Sequence, residues 1–336
     1  MATSLKRFLA AIAVAPDALV RFLVAPESAM ADAGVGEEDR ELWRQGETPA
    51  LIARLAAEPT ATAASHESGS DPGPSSRPSP GSLTVVGTGI RSVGQLTVEA
   101  IAHIQSAERV FYLVAEPVAE EVIHRLNPAG ARSLAGLYGE GKPRRETYRQ
   151  MVESILTSVR HGRRTCAVFY GHPGVFVDPA HEAVRSARKE GFAARMLPGV
   201  SAEDCLFADL GLDPATAGCQ SYEATDFLVN RRQADPSSHL VLWQVGVLGD
   251  RAFSLEVRES SPLDLLIHRL SEVYPRHHQV CVYEAAVLPA CEPVVRWTEL
   301  AGLERRHLSI VSTLYVPPAE PPRFDPELYF AVLRPG

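Results

Sequence analysis

The sequence predicts a small all-α domain followed by a two-lobed α/β domain, on three observations. Apolar residues recur at threes and fours through residues 4–57, a Pro/Gly/Ser-rich stretch follows at 60–82, and β-branched strands then alternate with helical patterns. At 336 residues and 45% hydrophobic, the chain is long enough for two cores.

In the first segment Phe8, Ile12, Leu19, Phe22, Leu23, Met30, Leu42, Trp43, Leu51, Ile52 and Leu55 carry the helical period. Pro16, Pro26, Gly34, Gly46 and Pro49 punctuate it. Lys6 and Arg7 before the apolar run Phe8 to Ala15 superficially resemble a secretion signal, but the pattern continues past Pro16, as an amphipathic helix does. A unit of about 55 residues is marginal alone, so it is expected to dock on a partner or on the main body. It holds no His or Cys, and its acids fall on polar positions, which points to binding rather than chemistry.

Residues 60–82 contain no large apolar side chain and read as a disordered linker with a reach of about 25 Å. The domain expectations are therefore 1–59 helical, 60–82 linker, 83–320 α/β in lobes of about 83–196 and 197–320, and 321–336 a C-terminal tail.

The α/β pattern begins with the run SLTVVGTG, continues through a helix at 95–107, the strand 109–114 and helices at 117–126 and 145–160, and closes with the strand 165–171 and a helix at 179–190. Such alternation predicts a largely parallel sheet. Later strands at 239–246, 279–286 and 308–318 fit antiparallel or mixed pairing equally well.

A formal charge of −8 argues against nucleic acid as the main partner, because phosphate binding calls for a basic face. No run reaches the roughly 18 to 20 apolar residues of a membrane helix. Cys166, Cys205, Cys219, Cys281 and Cys291 are scattered with no CxxC pair, which suits a cytoplasmic location and speaks against a metal site.

Three segments invite a ligand. Gly87 and Gly89 end the first strand, where open α/β sheets expose backbone amides, although a plain strand-terminating glycine pair explains them as well. A Gly171-His172-Pro173-Gly174 turn leads into Val175 and Phe176, and a tight connection would use the same residues. Ser201 and Asp204 read as a helix cap.

Taken in order, GTG, GHPGVFV, LPGVSAEDCLFADLGLDP, GCQSYEATDFL, HLVLWQVG and STLYVPP resemble the borosin peptide α-N-methyltransferases over about residues 82–318. These form a branch of the tetrapyrrole-methylase superfamily that uses S-adenosylmethionine, so the resemblance implies that two-lobed fold. Pro16 to Leu55 resembles the helical borosin-binding domain of the precursor peptides. In fused members that domain follows the methyltransferase and precedes an apolar core peptide. Here the order is inverted, and no clasp segment or repetitive Val/Ile/Gly tail precedes Gly336.

The resemblance implies methylation of backbone amides in a ribosomally made precursor with a helical leader and an apolar core, by a homodimer that yields S-adenosylhomocysteine; the missing in-chain core makes a precursor supplied in trans the expectation. It carries over Tyr138, Arg144, Tyr148 and Tyr170 as catalytic residues. An arginine is a permanent cation and donor fork for charge developing on an amide oxygen, and a phenol can donate. Ala135 and Leu137 stand where the family's type member has tyrosines, which removes an aromatic contact. Without the resemblance, Lys142, Arg144 and Arg145 read as a solvated charge run at a helix start.

For the cofactor the resemblance implies a cleft between lobes lined by Gly87, Gly89, His172, Val175, Phe176, Ser201, Ala202, Tyr222, Gln244 and Val245. Methylation of the chain's own linker is disfavoured, because proline nitrogens inside a chain carry no hydrogen. The alternatives are a tetrapyrrole or other small-molecule methyltransferase, and a non-catalytic peptide-binding protein.

Overall fold

The computed structural model describes residues 3–59, 80–139, 142–250 and 262–333. Most of the linker read from the sequence therefore lies outside the described residues, as do Glu140 and Gly141 of the catalytic stretch. The chain divides into two compact units, Met1–Cys205 with Ala285–Glu292, and Leu206–Glu284 with Pro293–Gly336.

Unit 1 opens with five helices, α1 (Leu5–Ala13), α2 (Pro16–Val24), α3 (Pro26–Asp32), α4 (Glu37–Gln45) and α5 (Thr48–Ala57). The sequence punctuation sets their ends. The Ser4 hydroxyl accepts from the Arg7 amide at the start of α1, and α2, α3 and α5 each carry proline in the first two positions, where the missing N–H costs nothing. Gly46 closes α4 at φ 65°, a left-handed conformation that favours glycine. Phe8, Phe22 and Trp43 pack edge to face, with centroids 5.5 and 5.3 Å apart.

The acids of this segment are not all on polar positions, contrary to the sequence reading. Asp39 and Glu58 are buried, and Arg54 grips Asp39 through Nε at 2.7 Å and Nη2 at 3.2 Å. Lys6 is buried too, with Nζ donating to the Glu58 carbonyl at 3.0 Å. Period alone does not reveal a buried ion pair, because the charge is tolerated only where its partner closes over it.

The α/β part of unit 1 runs β1 (Ser82–Gly87), α6 (Ser92–Gln95), α7 (Val98–Ser106), β2 (Arg109–Leu113), α8 (Pro117–Leu126) and β3 (Ala131–Ser133). It continues with α9 (Arg144–Arg160), β4 (Arg164–Phe169), α10 (Asp178–Lys189), β5 (Ala193–Met196) and the start of α11 (Ala202–Leu210). The five strands pair in the order β3-β2-β4-β1-β5, all parallel. The helix expected over 95–107 forms as α7 but starts three residues later, because Thr97 caps it by accepting from the Ala100 amide; Gly94, at φ 106°, interrupts the short α6 before it.

The helical segment docks on the lobe, as a unit too small for its own core should. α1 packs on α6 and α8, and α5 on α8. Leu5, Leu9, Met30, Leu51 and Leu55 share one buried cluster with Val86, Ile104, Val118, Val122 and Ile123. Residues 285–292 belong to the same body, with Leu288 and Cys291 in that cluster.

Unit 2 contains the rest of α11, α12 (Pro214–Ala217), β6 (Cys219–Glu223), α13 (Ala224–Val229), β7 (His239–Trp243), α14 (Leu263–Ser271), β8 (Gln279–Glu284), β9 (Val294–Glu299), β10 (Thr313–Val316) and α15 (Pro326–Val332). Its strand order is β6-β7-β10-β8-β9, with β6 parallel to β7 and the other pairs antiparallel. The strand expected over 308–318 is shorter, because the hydroxyls of Ser309 and Ser312 both donate to Glu284 Oε1, at 2.6 and 2.5 Å, and hold a turn before β10.

Candidate functional site

Parallel strands place their C-terminal ends along one edge of the sheet, and in unit 1 that edge collects most of the residues singled out by sequence. Thr88 donates its amide to the Phe169 carbonyl at 2.9 Å, and Gly89 and Gly171 exchange backbone bonds at 3.2 and 3.0 Å. A Cβ at Gly87 would stand 2.0 Å from the Gly171 carbonyl oxygen and 2.8 Å from Pro173 Cδ, and one at Gly199 would stand 3.1 Å from the same oxygen. The turns after β1, β4 and β5 thus touch backbone to backbone, and at Gly87 only glycine leaves room for it.

Within these turns several polar residues have structural duties. His172 Nδ1 accepts from the Gly174 amide at 2.9 Å, which assigns the imidazole to shaping the turn. Ser201 and Asp204 form a reciprocal cap, with the Ser201 amide and hydroxyl each 2.7 Å from Asp204 Oδ2 and the Asp204 amide donating back at 3.2 Å. Ala202 opens α11 directly after.

Phe176 departs from this economy. It adopts φ 55° and is 46% exposed, and a bulky residue in the left-handed region is a strained one. Gln244 on unit 2 does the same at φ 62°, directly after β7. Two of the three described non-glycine residues with positive φ are therefore residues that the resemblance assigns to the cofactor. Strain of this kind persists only where the surrounding structure over-determines the backbone. Also on unit 2, Tyr222 lies on β6 with the Arg232 guanidinium 5.8 Å from its ring centroid, and Val245 is fully buried, its amide donating to the Ser312 carbonyl at 3.2 Å.

The catalytic stretch assembles around the start of α9. Tyr138 hydrogen-bonds Tyr148 and feels the charge of Arg144, so the structure brings these three together. Burial pushes the Tyr138 phenol up to about 12, the Tyr148 phenol adds to that, and Arg144 opposes it. Tyr138 and Tyr148 rest against the core of α9 and α10, which fixes their rings. Lys142 is not part of a solvated run: its Nζ donates to the Leu137 carbonyl at 2.6 Å and to Gln150 Oε1 at 2.7 Å, stapling the loop to α9. Arg144 is half-buried and Arg145 exposed.

A second grouping surrounds Tyr170 at the end of β4. Its amide donates to the Leu113 carbonyl at 3.2 Å, and burial, followed by the negative charges of Glu116 and Cys205, raises its phenol well above the ordinary tyrosine range. Gln95 links this grouping to the glycine edge, its Oε1 accepting from the amides of Ile90 and Arg91 at 2.9 and 2.8 Å and its Nε2 lying 3.6 Å from Cys205 Sγ. Sequence reasoning missed Glu116 and Gln95. An acid before Pro117 reads as a routine helix start, and nothing local marks it as buried.

Within unit 1 the backbone turns, the phenols and the Arg144 guanidinium make a set of fixed hydrogen-bond donors. Among the described residues no three His, Cys, Asp or Glu side chains are arranged to hold a metal. The uroporphyrin-III-C-methyltransferase of Thermus thermophilus matches at TM-score 0.51 and 19% identity, over 76% of this chain and 97% of that one. A cobalt precorrin-4 methyltransferase matches at 0.53 and 16%, over 73% and 98%. At such identities the likeness is one of fold.

The family follows from sequence as well. A model described as Tetrapyrrole (Corrin/Porphyrin) Methylases matches residues 82–300, and the chain belongs to that family. It is 46% identical over 244 residues to the methyltransferase/ribosomally synthesized cyclic peptide gymnopeptides precursor of Gymnopus fusipes, covering 71% of this chain and 58% of that protein. The corresponding omphalotin A precursor of Omphalotus olearius is 46% identical over 242 residues, covering 71% and 58%. The type I borosin cyclic peptide precursor of Coprinopsis marcescibilis is 46% identical over 250 residues, covering 73% and 64%. The chain thus spans about three-fifths of the length of these relatives.

Proposed function

We propose that this protein is an S-adenosylmethionine-dependent methyltransferase that acts on backbone amide nitrogens of a ribosomally made precursor peptide. The observation that carries the reading is the Tyr138–Tyr148–Arg144 grouping at the start of α9, in a chain 46% identical to proteins named as methyltransferase and cyclic peptide precursor together. The donor supplies a methyl group made electrophilic by a positively charged sulfur.

What the protein contributes is orientation and charge. Arg144 is a cation with five N–H donors, and the hydrogen-bonded phenols hold a rigid wall beside it. An amide attacked through nitrogen develops negative charge on oxygen as its proton departs, and a fixed guanidinium favours that charge more than it favours the neutral amide. The glycine turns at 87–89, 171–174 and 199 leave backbone groups at the sheet edge, where ligands of open α/β sheets bind. Gly87, Gly89, His172, Val175, Phe176, Ser201, Ala202, Tyr222, Gln244 and Val245 are the residues assigned to the donor in this reading.

The same reading makes the substrate a separate peptide with a helical leader and an apolar core, and the enzyme a homodimer acting in the cytoplasm. The docked segment α1–α5 supports recognition by helix packing, since its own helices bury Leu5 and Leu9 against the lobe. Incubation with the donor and a candidate precursor should give a ladder of single-methyl mass increments on the peptide. A peptide of unchanged mass, with the increments on a porphyrinoid instead, overturns the proposal.

A further inference from the structure

The parallel sheet of unit 1 carries a second concave surface, at the end opposite the glycine turns. Val86, Cys166 and Leu197 pack on one face of this sheet with Ile104 of α7. Two residues before each of them stand Thr84 of β1, Arg164 of β4 and Arg195 of β5, so by the alternation of a strand these three point to the same face. The strand register sets Arg164 beside Ser82 and Arg195 beside Thr84, which places the two arginines on either side of β1.

α7 ends at Ser106 and leaves this end of the face uncovered. A cavity of about 540 Å³ opens there, lined by Ser82, Thr84, Arg164 and Arg195 from the sheet and by His103 and Ser106 from the last turn of α7. A sheet face beneath a helix is ordinarily apolar, as this one is where Val86, Cys166 and Leu197 meet Ile104. In the cavity the same face turns to hydroxyls and guanidinium groups, and in a chain of formal charge −8 it is locally basic.

These arginines are open to a ligand. Among the described residues Arg195 meets no carboxylate, and its Nη2 lies 2.7 Å from His103 Nε2. A guanidinium only donates, so the imidazole nitrogen accepts and holds the fork at the cavity wall. Arg164 has one acidic neighbour, Glu108, whose Oε2 accepts from the Arg164 amide at 2.8 Å and stands 4.0 Å from its Nε. The Arg164 side chain nevertheless stays 68% exposed. Neither arginine is occupied in closing α7, because the Ile104 and Ala107 carbonyls both accept from Asn127 Nδ2 at 2.8 Å.

We propose that this cavity binds a small organic oxyanion, whose carboxylate or phosphate group lies over β1 between Arg164 and Arg195. The planar forks of two arginines suit either group through paired, charge-assisted hydrogen bonds, and the hydroxyls of Ser82, Thr84 and Ser106 are further donors to its oxygens. The volume is that of a small-molecule site, with room for an organic body behind the charged group. The methyl-transfer reading plays no part in this assignment, since the cavity lies at the other end of the strands from Gly87 and Phe169.

Isothermal titration calorimetry of the full chain at low ionic strength, with pyrophosphate and with citrate as probes, tests the site. At least one probe should bind with a Kd below about 1 mM, and the tighter one tells a phosphate ligand from a carboxylate ligand. Arg195→Gln and Arg164→Gln should each weaken binding about 10-fold or more, and Arg195→Lys by less, because it keeps the charge and loses the fork. Ala193→Phe adds bulk to the cavity lining without touching a charge and should abolish binding. Arg185→Gln, on α10 and paired with Glu182, should leave it unchanged.

No heat from either probe up to about 10 mM, or equal affinity in the parent, Arg195→Gln and Ala193→Phe, overturns the proposal. None of these readouts requires methyl transfer, so a parent that binds the anion and methylates no peptide overturns the methyltransferase reading alone.

Discussion

Arg144 is the residue on which the proposed chemistry turns. It sits at the first position of α9, half-buried, with its charge acting on Tyr138 and Tyr148 bonded to Tyr138. Replacing Arg144 by Ala should leave peptide binding nearly intact and lower kcat by roughly 10²–10³-fold, the usual cost of one missing charge-stabilising donor. Steady-state kinetics on a precursor peptide would measure it, and unchanged turnover would remove the assignment. Glu116 adds a second prediction at this scale, on stability. Its pKa in the fold, about 7, lies above the ordinary 4.5, so the folded protein holds the proton more tightly than the unfolded chain. That contribution is complete below the ordinary carboxyl range and is lost as pH rises through 7. The parent should therefore lose on the order of 2–3 kcal/mol relative to Glu116→Gln between pH 5 and 8 in denaturant unfolding, and a constant difference would contradict the burial account.

At the scale of elements, sequence and structure agree where one period or one punctuating residue decides the outcome. Pro117 begins α8 at the position expected, and Arg164 to Phe169 forms the buried central strand its apolar run announced. Disagreement appears where a tertiary contact overrides a local pattern. The Thr97 cap moves the start of one expected helix from Gln95 to Val98, and the Ser309 and Ser312 hydroxyls on Glu284 shorten the final strand. The same distinction governs the site. Glycine turns and the Tyr138–Tyr148 stretch are legible as motifs, whereas Glu116 becomes visible only when α6 and β4 close around it. The docking of α1 on α8 gives a test at this scale. Leu9 is fully buried in the shared cluster, so Leu9→Ala should cost about 2–5 kcal/mol, and thermal unfolding should show the loss. A change under about 0.5 kcal/mol would mean that α1 does not depend on that contact.

For the whole molecule, one family frame serves different substrates. The fold matches a uroporphyrin and a cobalt precorrin methyltransferase at 19% and 16% identity, yet 46% identity runs to proteins named as cyclic peptide precursors. Function therefore has to be argued from the groups at the sheet edge rather than from the fold. Those groups are a guanidinium, phenols and glycine turns, which supply fixed donors and close backbone approach. The helical segment at the front belongs to the same compact unit as the parallel sheet, so α1–α5 and the α/β lobe share one buried cluster. The most direct measurement is tandem mass spectrometry of a precursor peptide after incubation with the full chain and the methyl donor. Fragment ions should place each added methyl on a main-chain nitrogen within the apolar core. Methyl groups found only on side chains or termini, or no gain in mass on any such peptide, would contradict the claim that Arg144 and its paired phenols grip a peptide bond.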